Sequence, residues 1–134
     1  MTREELVALA CEAMTHAYAP YSHFQVGAAL LTKDGRVYQG CNIENAAYGP
    51  TNCAERTAFF KAVYEGERDF AAIAVVGGVD GAVKGFAAPC GVCRQVMREF
   101  CGEEFQIHLW NGLEYRTLTL GELLPLGFTA DDMA

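Results

Sequence analysis

Basic residues are scarce in this chain of 134 residues: 10 Lys and Arg stand against 17 Asp and Glu, for a formal net charge of −7. The cations are scattered (Arg36, Lys61, Lys84, Arg94, Arg98, Arg116) rather than gathered into a stripe. Such a surface repels a polyanion at long range, which argues against a nucleic-acid partner. Long apolar runs are also missing. No stretch approaches the roughly 20 residues needed to cross a bilayer, so no membrane partner is expected. The N-terminal MTREELVALA carries acids and lacks the basic, apolar, small-residue layout of a signal peptide. A cytoplasmic location is the resulting expectation. Repeats, linkers and low-complexity tracts are absent as well, and the length suits one domain over residues 1–134.

What is present is a succession of short, well-punctuated elements. Thr2-Arg3-Glu4-Glu5 has the form of a capping box ahead of Leu6, Ala10, Met14 and Ala17, which predicts a helix closed by Pro20. FQVGAALLT and RVYQGCNI flank Asp34-Gly35, a hairpin signal. A second helix is predicted from Pro50 or Thr51 to about Tyr64, with Gly66 beyond its end. FAAIAVVGG reads as a buried strand. A third helix is expected from Cys90 to about Cys101, then FQIHLW and YRTLTL around Asn111-Gly112, and a short final helix in LGELLP. The order α-ββ-α-β-α-ββ predicts an α/β fold: a three-layer αβα sandwich with one mixed five-stranded sheet.

Six cysteines in a reducing compartment point to metal binding or catalysis rather than disulfides. Cys90 and Cys93 sit in the first turn of the third helix, about 60° apart around its axis. There the unpaired N–H groups and the helix dipole favour thiolate. Cys53 lies in or just before the first turn of the second helix. If those two N-termini meet, three thiolates can hold one Zn²⁺. Cys101 stands about 12 Å further along the third helix and cannot join them. Cys11 and Cys41 belong to no paired spacing and are expected to be small buried hydrophobes. Three protein ligands leave a position for water, the mark of a catalytic zinc. Glu55, about 200° around the helix from Cys53, is a poor ligand but is placed to act as general acid/base. Arg56 is expected to contact ligand sulfur and offset part of its charge. Two other readings of the cysteines stay open at this point: a Cys-x-x-Cys redox pair, and a structural zinc with Cys41 as fourth ligand.

Cys53-Ala54-Glu55 followed by Pro89-Cys90-x-x-Cys93 is the signature of zinc-dependent nucleobase deaminases, with Cys in place of His as first ligand. PYSHFQVGAALL, GCNIENAAYG, NCAERTA, PCGVCRQ and ELLPLGF extend the match over nearly the whole chain, which resembles the small homotetrameric cytidine deaminases. The resemblance implies a cytidine deaminase-like fold and one Zn²⁺ per subunit on Cys53, Cys90 and Cys93. It implies hydroxide attack at C4 of a free pyrimidine nucleoside, with Glu55 carrying protons to N3 and to the departing ammonia. Asn42 and Glu44 match the family's ribose-binding pair, and Ala54 would offer its N–H to the base carbonyl. Phe24 matches a residue packed beside the nucleoside, although a strand-core phenylalanine is an equal reading. Tyr48 and Phe128 match residues of the intersubunit contact, with active sites completed across a homotetramer.

Ala88 departs from the Ser that often precedes Pro-Cys in the family; if that position works through its carbonyl, little changes. The connector GGVDGAVKG carries no assigned chemistry. His16, His23 and His108 match no ligand spacing, and Trp110 reads as strand core. The expected activity is hydrolytic deamination of cytidine and 2′-deoxycytidine in pyrimidine salvage. A deaminase of blasticidin S, a polynucleotide deaminase and a non-catalytic zinc module are the rivals.

Overall fold

Thr2 begins the first helix as its neighbours demand. In the computed structural model, which describes residues 1–134, its Oγ1 accepts from Glu5 N at 3.1 Å. Glu5 Oε2 accepts from Thr2 N at 3.2 Å, completing the reciprocal capping box. The helix α1 (Arg3–Met14) ends well before Pro20, and Ala17 lies outside it. His16 N and Ala17 N bond back only to Ala13 and Met14 carbonyls, and Tyr18 N then donates to Asn42 O at 3.0 Å. That extended pairing of Tyr18 with Ile43, not the proline, takes the chain out of the helix.

The strands are β1 (Phe24–Thr32), β2 (Val37–Cys41), β3 (Phe70–Val79), β4 (Gln106–Trp110) and β5 (Tyr115–Thr119). They form one sheet of order β2-β1-β3-β4-β5. Only β3 and β4 run parallel; the other neighbours are antiparallel. The hairpin turns carry Gly35 at φ 91° and Gly112 at φ 96°, left-handed backbone that glycine adopts without strain. β2 is shorter than RVYQGCNI suggested, because Ile43 leaves the ladder to bridge Tyr18 and Asn52.

Alternation along β3 divides the core. Ala72, Ala74 and Val76 join Ala29 against Leu6, Val7, Ala10 and Met14 of α1. Ile73 and Val75 join Ala28, Leu30, Ile107 and Leu109 on the other face. There they meet α2 (Ala54–Tyr64) through Ala58, Phe59 and Ala62, and α3 (Gly91–Phe100) through Cys93 and Met97. The result is the expected three-layer sandwich with one mixed five-stranded sheet. A short α4 (Leu120–Leu123) follows β5, and a 3₁₀ turn spans Ala130–Met133.

One glycine sets where α2 lies. A Cβ on Gly40 of β2 would sit 2.4 Å from Ala54 O and 2.5 Å from Ala58 N, so only glycine lets the first turn of α2 settle on the strand. Cys101 is buried, whereas Cys11 and Cys41, expected to be buried, are only half-buried. Cys11 lies at the margin of the α1 layer, and Cys41 opens into a surface cleft with His16 and Lys61. Trp110 is likewise half-buried, tilted against Tyr115 at the edge of the same layer rather than inside it.

Candidate active site

Each ligand-bearing helix starts one residue after a cysteine, α2 after Cys53 and α3 after Cys90. Asn52 pairs with Ile43 through two backbone bonds of 3.0 and 2.9 Å, which holds the chain extended through Cys53. α2 therefore begins at Ala54, not at Pro50 or Thr51, and Cys53 is its N-cap. Cys90 is the N-cap of α3, and its Sγ accepts from Cys93 N at 3.5 Å. The three Sγ atoms of Cys53, Cys90 and Cys93 all lie within 4.8 Å of one another, Cys53 and Cys90 being 3.8 Å apart. Three thiolates at tetrahedral zinc stand roughly 3.8 Å from each other, so the donor set fits the ion in both chemistry and size. Cys41 lies outside the group and Cys101 caps the far end of α3. A third sulfur beside the Cys-x-x-Cys pair disfavours a simple redox dithiol, and the absence of a fourth disfavours a structural zinc.

The charge of the cluster is distributed by its contacts. Cys53 is lowered to about 5, first by the hydrogen bond from Cys93 and then by Arg56 and Cys90, with burial opposing. Cys93 is raised by the same bond to Cys53 and by burial. Arg56 Nη2 donates to Cys53 Sγ at 3.2 Å, and that sulfur is the main reason its own pKa is raised. Arg56 Nε is buried without a hydrogen-bond partner. Glu55 is 4 % exposed. Burial pushes its carboxyl up to about 7, helped by the charge on Cys53 and opposed by its own backbone N–H and by Arg56.

A cleft of about 470 Å³ opens onto these groups. Its walls are Phe24 and Val26 of β1, Asn42, the run Thr51–Glu55, the run Phe86–Ala88, and Cys90. Phe24 is 39 % exposed and lines the cleft, so it is not a strand-core residue. Asn42 is buried; its Oδ1 accepts from Val26 N at 2.9 Å and its Nδ2 donates to Phe24 O at 2.8 Å. The carboxamide thus fixes the cleft end of β1 and keeps one hydrogen and one lone pair free.

The remaining expected residues stand apart from the sulfurs. Glu44 lines a neighbouring cleft of about 310 Å³ with Tyr21, Ser22, Tyr48 and Thr51. Its carboxylate accepts from Tyr21 N at 2.9 Å, from Ser22 N at 3.1 Å and from the Ser22 hydroxyl, and this last bond leads in lowering its pKa. Thr51 is common to both clefts. Tyr48 is 75 % exposed and Phe128 57 % exposed. Neither reaches the sulfur cleft within one chain.

Sequence reasoning missed Phe86, Ala87, Thr51, Asn52 and Val26 as cleft walls. Phe86 carries the guanidinium of Arg116 at 4.7 Å over its ring, a cation–π contact behind the wall. The connector left without chemistry lines a third cleft, about 570 Å³, that shares Phe24, Phe86 and Ala87 with the first. The signal for Phe86 was its place in the short run leading to Pro89-Cys90, which brings it to the same strand end as the ligands.

A mixed sheet with three thiols at two helix N-termini and a buried carboxyl just inside one of them defines a zinc hydrolase with a catalytic site. A family profile described as cytidine and deoxycytidylate deaminase zinc-binding region matches residues 1–109. A cytidine deaminase of Halalkalibacterium halodurans is 54% identical over 134 residues, 99% of this chain and 98% of its own. The crystal structure of cytidine deaminase from Burkholderia pseudomallei superposes with a TM-score of 0.88 at 51% identity, covering 96% of this chain and 100% of the other. More distantly, a blasticidin-S deaminase of Bacillus cereus is 35% identical over 93% of this chain and 91% of its own. The chain belongs to the zinc-dependent cytidine deaminase family. It is an aminohydrolase whose Cys53, Cys90 and Cys93 suit one zinc per subunit.

Proposed function

We propose that this enzyme hydrolyses free cytidine and 2′-deoxycytidine to uridine and 2′-deoxyuridine with release of ammonia, a step of pyrimidine salvage. The observation that carries this reading is Glu55, a buried carboxyl lining the same cleft as Cys53 and Cys90 of the three-sulfur cluster. Cys53, Cys90 and Cys93 would hold the zinc, which when bound would supply a Lewis acid able to make water nucleophilic near neutral pH. Glu55 takes a proton from the attacking water at its carboxylate and delivers it to pyrimidine N3 as the C4–O bond forms, then takes the proton of the new C4 hydroxyl and gives it to the amino group as the C4–N bond breaks. A carboxyl titrating near 7 serves as base and acid in one cycle. Arg56, 3.2 Å from Cys53 Sγ, withdraws charge from the ligand set and so preserves the metal's acidity.

Other walls of the cleft orient the substrate. The N–H of Ala54, in the first turn of α2 and without an intrahelical acceptor, donates to the base carbonyl. Phe24 packs beside the nucleoside, and the Ala88 carbonyl takes the leaving amine, so loss of the usual serine hydroxyl changes little. Asn42 and Glu44 receive the ribose hydroxyls. The charge on Glu44 repels a 5′-phosphate, which favours nucleosides over nucleotides.

Tyr48 and Phe128 are exposed and do not line their own chain's sulfur cleft, and they would complete the sites of neighbouring subunits in a homotetramer. Residues 1–134 act as one catalytic domain, and a cytoplasmic setting suits ligand thiols that must stay reduced. No helix is long and apolar enough to cross a membrane.

The test is a substrate panel. Absorbance of cytidine and 2′-deoxycytidine should fall with zinc-loaded protein, while blasticidin S and a cytosine-containing oligonucleotide should be poor substrates. Turnover of blasticidin S or of the oligonucleotide in preference to the free nucleosides would contradict the assignment.

A further inference from the structure

Arg94 and Gln95 directly follow the third ligand cysteine, and neither lines the cleft. Each nonetheless spans from α3 to a distant stretch of backbone. Arg94 is half-buried. Its Nε donates to Pro89 O at 2.7 Å and its Nη1 donates to Leu123 O at 2.7 Å. Pro89 is fully buried and its carbonyl is the last before ligand Cys90. Leu123 is the last residue of α4. One planar guanidinium therefore ties the turn that presents Cys90 to the start of the C-terminal segment. Gln95 Nε2 donates to Phe128 O at 2.9 Å, one helical step further on.

Beyond Leu124, which still packs against the core, the segment has little apolar burial to fix it. Leu126 is 99 % exposed at φ 55°, and Phe128 is 57 % exposed, so apolar burial within the chain does not anchor them. Gly127 lies against Arg98, again on α3: a Cβ there would stand 3.3 Å from Arg98 Cγ. The chain after α4 thus follows α3 at Leu123, Gly127 and Phe128 in turn. Charge-assisted bonds to backbone carbonyls are among the stronger polar contacts a half-buried arginine makes.

We propose that Arg94 and Gln95 are positioning residues that make α3 a common bracket, Arg94 fixing the turn of ligand Cys90 and Gln95 fixing the reach of Phe128. This rests on the functional reading above, in which Cys90 holds zinc and Phe128 serves a nucleoside site. Neither residue touches substrate. Arg94 acts through Pro89 and Cys90, and Gln95 acts through Phe128.

Zinc transfer from purified protein to a chromogenic chelator tests the first half without any turnover. Arg94→Gln should lose zinc roughly tenfold faster than wild type, in line with the loss of other groups that orient ligands. Arg94→Lys, which can reach one carbonyl but not both, should fall between. Equal rates for wild type and Arg94→Lys, or for wild type and Arg94→Gln, would overturn the role of Arg94.

Cytidine kinetics test the second half. Gln95→Met at this exposed position should raise KM about two- to tenfold with a smaller change in kcat. It should add nothing further in a Phe128→Ala background. An unchanged KM, or full additivity with Phe128→Ala, would overturn the role of Gln95. A zinc-loaded wild type without deaminase activity would instead contradict the functional reading itself, and the chelator rates would still decide the case for Arg94.

Discussion

The sulfur cleft and its rim are built to opposite standards. At the centre, Cys53, Cys90, Cys93 and Glu55 come from two helix starts, with Glu55 and Cys93 buried and every thiol within reach of another. At the rim, Tyr48 and Phe128 are largely exposed, and Glu44 spends its carboxylate on the amides of Tyr21 and Ser22. Glu55, Cys53 and Cys90 share one cleft with Phe24, Asn42 and Ala54, whereas Glu44, Tyr48 and Phe128 lie outside its walls. Variants at the centre and at the rim should therefore fail differently.

The largest effect is expected at the centre. Glu55→Gln should lower kcat by about 10²- to 10⁴-fold, the usual contribution of a general acid/base, while zinc content stays at one per chain. Rate measurement beside metal analysis checks this; parallel loss of both would make Glu55 a ligand or a structural residue instead. Next comes the fit of α2 to the sheet. Gly40→Ala places a methyl against backbone atoms of Ala54 and Ala58 that cannot turn aside. It should cost about 1–3 kcal/mol of stability, read by denaturant unfolding, and speed zinc loss because Cys53 moves with the helix.

The rim should respond more gently. Phe128→Ala should raise KM for cytidine roughly two- to tenfold, the range of a lost aromatic contact, and leave zinc binding untouched. A fall in zinc content would erase the distinction between the two regions.

The smallest effect lies on the opposite face of the sheet. His108 is buried beside Thr117, with its Nδ1 2.8 Å from Thr117 Oγ1. Burial lowers its pKa from the ordinary 6.5, aided by Arg3 and opposed by Glu4. The unfolded chain therefore takes up the proton first as pH falls. The stability contributed by neutral His108 is full above pH 6.5 and declines as pH drops through that value. Thermal melts between pH 7.5 and 5 should show this slope, and His108→Asn should flatten it; an unchanged slope would locate the titration elsewhere.

How legible the molecule was in its sequence differs between the same two regions. Cys53, Glu55, Cys90 and Cys93 were readable because the short spacings Cys-x-Glu and Cys-x-x-Cys are local facts. The buried strand in FAAIAVVGG and the turns at Gly35 and Gly112 were readable for the same reason, though which residues of that strand face which helix was not. The start of α2 was not, since a bridge between Asn52 and Ile43, residues separated by a whole loop, overrides the helix signal of Pro50. The end of α1 moved for a similar cause, the pairing of Tyr18 with Ile43. Phe86 was missed because a cleft wall is defined by what faces it across the fold. The partners of Asn42 and Glu44 were hidden too: both side chains serve backbone amides of other segments, which no spacing encodes.

X-ray absorption at the zinc edge of the purified protein tests the central claim most directly. The account predicts one zinc per chain with three sulfur neighbours at about 2.3 Å and one lighter atom at about 2.0 Å. Four sulfurs, or a metal-free protein that still deaminates cytidine, would contradict it.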